Sequence, residues 1–274
     1  MKNQKHKIHN GHIVLGASIW LSLVFGNIEA QEKIDLNKLV EKSNQVLKVS
    51  GSVSESTFIL TDKNGQERKR KTISYTKLAN NGIDNTRSTK FLSPADAKGT
   101  GILLVENHNG EDDISLYLPA LKKVRKIAAG GKKDSFVGTD FSYADVVGFK
   151  TDDWVYKNLG DTTISGKICY TIEATPKSEK TTFETGYSKR VLKIQKDNFI
   201  TLAGEAYDEN GDLIKKFAFS DYQLVEPNKN KWWSMKAEVQ NVQTGHKTVI
   251  LTENFKVEPE LEDKYFSTRF LERD

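Results

Sequence analysis

The chain is 274 residues long, 28% charged and 37% hydrophobic, with a formal net charge of +4 at pH 7. That length supports one large domain with a full core, and 41 basic against 37 acidic residues give no support to nucleic-acid binding. Cys169 is the single cysteine, so an internal disulfide is excluded.

Residues 1–30 read as an export signal. Lys2, Lys5 and Lys7 precede an apolar run over residues 13–25, polar residues resume at Asn27, and Ala30 stands before Gln31. The run is shorter than the roughly 20 residues a membrane-spanning helix needs. No cysteine stands at the cut, so the expectation is a soluble, exported mature protein over residues 31–274, without a lipid anchor.

Residues 34–48 have the apolar spacing of an amphipathic helix, with Leu36, Leu39, Val40, Ser43 and Leu47 on one face. Asp35 is its expected N-cap and Gly51 follows its end. From Val53 the pattern turns to strands. Phe58, Ile59 and Leu60, a turn over residues 62–65, and the stretch 72–78 predict a long hairpin. Its second arm carries Arg68, Lys69, Arg70 and Lys71, read as a solvated strand arm that resists edge pairing. Asn109-Gly110 turns residues 102–105 back into 114–118.

The stretch 116–147, LYLPALKKVRKIAAGGKKDSFVGTDFSYADVV, is chemically distinctive. Ile114, Leu116 and Leu118 alternate as a half-buried strand, Pro119 breaks it, and a basic arm from Lys122 to Ile127 returns as its hairpin partner. A glycine-bearing loop follows, and Ser142 and Asp145 have the spacing of a helix capping box. Lys122, Lys123, Arg125, Lys126, Lys132 and Lys133 make the surroundings basic, which suits either an anionic headgroup or ordinary solubility.

Beyond this stretch, meandering alternation continues through residues 154–159, 167–175, 184–195 and 199–207. Residues 208–212 superficially resemble a calcium loop but lack the later glutamate and flanking helices of an EF-hand, so a hairpin turn is predicted. Phe217 and Phe219 share a face, as do Trp233, Met235, Ala237 and Val239, and alternation groups Val249, Leu251, Phe255 and Val257. Aromatic anchors Tyr265, Phe266 and Phe270 dock the tail. The fold class is mainly β with a few helices, and repeated hairpins predict an antiparallel sheet.

In its segments YLPALKKVRKI and DSF-G-DFSYADV, spanning residues 117–146, the chain resembles the outer-membrane lipoprotein-sorting proteins, a LolA-like family of periplasmic carriers. The resemblance implies a strongly curved antiparallel sheet, an incomplete β-barrel, with helices covering the concave face over an apolar cavity. It implies lipoprotein acyl chains or lipid as ligand, with an inner-membrane transporter and an outer-membrane acceptor as partners. The cavity expectation falls on Phe217, Phe219, Trp233, Met235, Val239, Val249, Leu251 and Phe255. The lid expectation falls on Tyr117, Pro119, Lys122, Arg125, Phe136, Gly138, Asp140, Phe141 and Tyr143, with residues 130–138 as a hinge.

Catalytic signals are sparse. Outside the export signal only His108 and His246 remain, neither in a metal-spaced cluster. No G-x-S-x-G elbow or phosphate-binding loop occurs. Cys169 lacks the basic neighbour or helix start that activates a thiol and reads as structural. No cofactor, metal or nucleic acid is expected. Two rivals to the carrier reading are an accessory subunit of an RND-type envelope exporter and a hydrolase of envelope lipids.

Overall fold

In the computed structural model, Met1 and residues 34–273 are described, and the export-signal reading lies outside them. From Ile34 onward the chain forms one compact unit. Helix α1 (Leu36–Gln45) begins where expected: the Asp35 carboxylate accepts from the backbone N–H of Asn37 at 3.1 Å and of Lys38 at 3.2 Å. Its Leu39 and Val40 pack on Ile172 and Ile194.

Thirteen strands follow. They are β1 (Gly51–Thr61), β2 (Glu67–Leu78), β3 (Asn85–Ser93), β4 (Gly101–Val105), β5 (Asp113–Leu118), β6 (Lys123–Lys126) and β7 (Trp154–Ile164). The second half supplies β8 (Lys167–Pro176), β9 (Lys189–Gln195), β10 (Thr201–Tyr207), β11 (Leu213–Glu226), β12 (Lys231–Asn241) and β13 (Lys247–Val257). Helices α2 (Tyr143–Val147), α3 (Glu179–Thr185) and α4 (Thr268–Leu271) are the other α-helices among the described residues, with short 3-10 turns between elements.

All strands belong to one antiparallel sheet in the order β6-β5-β4-β3-β2-β1-β13-β12-β11-β10-β9-β8-β7. The chain enters at the middle with β1 and meanders out to β6. It then crosses to the opposite edge at β7 and meanders back to β13 beside β1. The two edges do not pair, so the barrel is open. Residues 127–153, most of the distinctive stretch, form the crossover joining those edges.

Flat, thirteen strands would span roughly 58 Å. Yet Phe91, Ile102 and Ile114 from one side share a core cluster with Trp154 and Ala174 from the other, around Phe136, Phe141 and Tyr143 of the crossover. The sheet therefore curves around the crossover, which fills part of its concave face. Twist and side-chain packing give such a sheet its hand and bend.

Cross-strand partners share a face, and the register gives one row across the concave side: Phe219, Ala237, Ile250, Phe58 and Arg70. Arg70 thus leaves the solvated arm predicted for residues 68–71. It is half-buried, and its guanidinium donates to the Val137 carbonyl of the crossover. Val249 and Leu251 fall one step out of this row, on the opposite face. The β1–β13 register shifts near Asn254, which takes φ +48°, and Phe255 returns to the concave side against Trp233, ring centroids 4.9 Å apart. The face grouped by alternation is divided there because one inserted residue inverts every side chain beyond it.

The tail docks as expected: Tyr265 stacks on Tyr75 at 4.2 Å and Phe270 meets the same ring edge-on at 5.5 Å. The turn after Asp208 closes a β10–β11 hairpin, with Gly211 N–H donating to the Asp208 carbonyl at 3.0 Å.

Candidate functional site

Between the concave sheet, α1 and the crossover lies a partly open cavity of about 720 Å³. Phe58, Phe217, Phe219, Trp233, Ala237 and Ile250 line it from the sheet, and Phe136, Phe141, Val146 and Val147 from the crossover. Of the residues expected there, Phe217, Phe219 and Trp233 are on the wall. Val239 is fully buried in the adjoining core, Met235 is half-buried beside the wall, and Phe255 backs Trp233. Val249 and Leu251 are on the other face of the sheet, for the register reason given above.

The crossover is held at four points. Its Asp145 completes the capping box, accepting from Ser142 N–H at 2.8 Å while Ser142 Oγ accepts from Asp145 N–H at 3.1 Å. The same carboxylate receives Lys215 Nζ at 2.8 Å and the Tyr187 hydroxyl at 3.0 Å. Burial, with the Asp145 charge beside it, pushes the Tyr187 hydroxyl well above its ordinary value. Asp140 accepts from the Thr248 hydroxyl at 2.7 Å, and that hydroxyl accepts from Asp140 N–H at 3.0 Å. Arg70 holds Val137.

Lys132 is the fourth point and corrects the basic-surface reading. Its side chain is 8% exposed, with Nζ 3.0 Å from Asp112 and 3.1 Å from Glu184. Burial alone would lower the ammonium's pKa, but the two carboxylates outweigh it and hold it above the usual lysine value. Lys126 pairs with Asp113, and Lys133 with Glu209 at 3.0 Å. Lys122, Lys123 and Arg125 remain exposed around the β5–β6 turn, with no ion pair among the described residues. Tyr117 and Pro119 are half-buried at that turn. Gly138 takes φ +72°, a left-handed backbone suited to glycine. Phe141 meets Phe217 at 6.2 Å and Phe136 meets Tyr143 at 5.5 Å.

Two arginines in the cavity wall escaped the sequence reading. Arg87 donates Nε to Thr76 Oγ1 at 3.3 Å, and Arg190 stacks its guanidinium 3.4 Å above the Phe149 ring centroid. Burial depresses the pKa of both. A signal was present for Arg190, which alternates with Leu192 and Ile194 and so is a charge on an apolar register, whereas Arg87 alternates with polar Thr89 before Phe91.

At the cavity mouth His108 Nδ1 lies 2.7 Å from Asp84 Oδ2. Burial raises the Asp84 carboxyl, but hydrogen bonds from His108 and Asn81 more than offset it and hold it below the usual carboxylate range. A depressed carboxyl contributes stability above its unfolded pKa and loses it as pH falls through the folded one. Asp84→Asn should therefore flatten the fall in thermal midpoint below about pH 4. An unchanged acid limb in a melting series from pH 6 to 2 would show that this link carries no such stability. His246 is exposed in a turn, and among the described residues no three His, Cys, Asp or Glu side chains converge as metal ligands. Cys169 is fully buried, and that burial raises its thiol pKa.

Solved structures share this architecture. A domain from Vibrio parahaemolyticus assigned to the outer membrane lipoprotein-sorting proteins is 26% identical, with TM-score 0.79 over 86% of this chain and 98% of that one. A DUF1329 family protein from Desulfovibrio piger is 30% identical, with TM-score 0.78 over 86% of this chain and 97% of that one. A LolA superfamily protein from Nitrosomonas europaea, 15% identical, matches in fold with TM-score 0.64 over 85% and 97% of the two chains. No curated protein matches the sequence. A family model described as "Uncharacterized protein" matches residues 84–273. With that match and the Desulfovibrio relative, the chain belongs to the DUF1329 family and has the open, curved LolA-like sheet.

Proposed function

We propose that the protein is a periplasmic carrier that takes lipoprotein acyl chains or lipid into its cavity and carries them toward the outer membrane. One observation carries this reading: a partly open cavity of about 720 Å³ walled by Phe219, Trp233, Ile250 and Val146. Its volume lies in the range of about 300–1,000 Å³ that encloses one small ligand. Burying an acyl chain there contributes roughly 0.8 kcal/mol per methylene. Loading from an inner-membrane transporter and release to an outer-membrane acceptor then require that each partner compete for the chain. Crossover rings, above all Phe141, occupy the apolar space beside the ligand and favour release.

Mass spectrometry of lipid extracted from natively purified protein tests the reading, and a stoichiometric acyl lipid is the expected result. Protein that emerges empty and takes up no lipid from vesicles would overturn it. Phe219→Asp should reduce uptake of a fluorescent lipid at least about fivefold while the protein stays folded, because a carboxylate in the wall penalises an acyl chain. Global unfolding of this variant would instead mark Phe219 as tight core.

The accessory-subunit reading draws on the exposed Lys122, Lys123 and Arg125. Reversing these three charges should, on that reading, abolish association with a membrane exporter while lipid content is unchanged.

A further inference from the structure

We infer that the cavity accepts an acidic single-chain amphiphile, whose anionic end is held by the Arg190 guanidinium while its chain lies along the apolar wall. This deepens the carrier reading and rests on it.

Arg190 is placed by its strand. On β9 its direct neighbours across the sheet are Ala174 and Ala206, which are 1% and 0% exposed. Two such small residues leave room for a guanidinium to lie over the sheet. Phe149 supports it at 3.4 Å and Trp154 lies at 5.8 Å. Stacking fixes the plane and leaves the edges of the fork for a ligand.

The charge is left without a matching acid. Among the described residues no carboxylate lies within ion-pair distance of Arg190, and its buried Nε has no hydrogen-bond partner. The acid acting most strongly on it, Asp145, is already committed to Lys215, Tyr187 and the Ser142 amide. A guanidinium keeps its charge in proteins, and a desolvated, unpaired charge is costly. An anion entering the cavity removes that cost and gains charge-assisted hydrogen bonds.

Arg87, on β3 in the other half of the sheet, is a second guanidinium in the wall. Its hydrogen bond goes to a neutral hydroxyl, and the nearby Glu106 is held by Lys48 and by Asn85 N–H at 2.9 Å. An unpaired guanidinium at this point of the wall selects against an amphiphile with an uncharged end. Carboxylate and phosphate monoester share the required chemistry, so a fatty acid and a lysophosphatidate are the two sources.

The test compares palmitate, lysophosphatidate and neutral hexadecanol by displacement of a fluorescent lipid from the full-length mature protein. The variants are Arg190→Met and Arg190→Lys. The wild type should bind at least one of the anions about tenfold or more tightly than hexadecanol. Whichever anion shows that preference identifies the source. Arg190→Met should erase the preference, weakening the anion about tenfold more than it changes hexadecanol binding. It should not lower the thermal midpoint, since no carboxylate is stranded. Arg190→Lys, which keeps the charge without the fork, should retain part of the preference and serves if the methionine variant fails to fold. Equal wild-type binding of hexadecanol and both anions, or a preference that survives in folded Arg190→Met, overturns the inference and leaves the carrier reading standing. Failure of all three amphiphiles to bind defeats the carrier reading itself.

Discussion

Asp145→Ala should lower the thermal midpoint by about 6–20 °C. Its carboxylate holds Lys215 Nζ at 2.8 Å and the Tyr187 hydroxyl at 3.0 Å and closes the capping box of α2, with the two charged side chains 3% and 9% exposed. Removing one member strands the other, a loss of about 3–5 kcal/mol. At roughly 2–4 °C per kcal/mol for a domain of this size, the shift is large. Asp145→Ala combined with Lys215→Met should recover most of the loss, since no buried charge remains. A midpoint lowered by under about 3 °C would mean the crossover is held by its aromatic packing alone.

Ala237→Trp should abolish lipid uptake, reducing it more than about tenfold, while the melting midpoint changes little. Ala237 lies on the cavity wall between Phe219 and Ile250 in the same cross-strand row. An indole there extends into space available to an acyl chain. It displaces several methylenes, each contributing roughly 0.8 kcal/mol. Because the added volume enters a cavity and not a packed core, the overpacking cost of about 1–3 kcal/mol is largely avoided. A fluorescent-lipid titration beside a melting curve checks both parts. Undiminished uptake by folded Ala237→Trp would place the binding site elsewhere. The same variant separates the two functional readings, since an accessory subunit should keep its exporter contact with the cavity blocked.

Elements closed by nearby residues were legible in the sequence. Asp35 caps α1, Asp62 shapes the β1–β2 turn with Asn64 N–H at 2.8 Å, and Ser142 and Asp145 form the capping box. Each is settled by hydrogen bonds spanning at most four residues, so local chemistry suffices. The antiparallel meander was legible for a related reason, because hairpin turns and period-two alternation constrain neighbouring strands. The segment 117–146 also gave the family resemblance, although not its place as the crossover between two open sheet edges.

The sequence by itself determined the starts of α1 and α2, the hairpins and which residues share a face over short runs; it missed α3 (Glu179–Thr185), whose last two residues it placed on a strand. Only the tertiary structure decided which face is inside and which charges are buried. Alternation has a period but no sign, and the Asn254 bulge reverses it between Leu251 and Phe255. Lys132 and Lys133 are adjacent and chemically alike, yet the first is enclosed by Asp112 and Glu184 while the second remains at the surface with Glu209. Asp112 lies 20 residues from Lys132 and Glu184 lies 52. Asp145 and Lys215 are 70 apart. A buried charge depends on partners supplied by distant strands and on the solvent those strands exclude, and only the folded sheet brings both together.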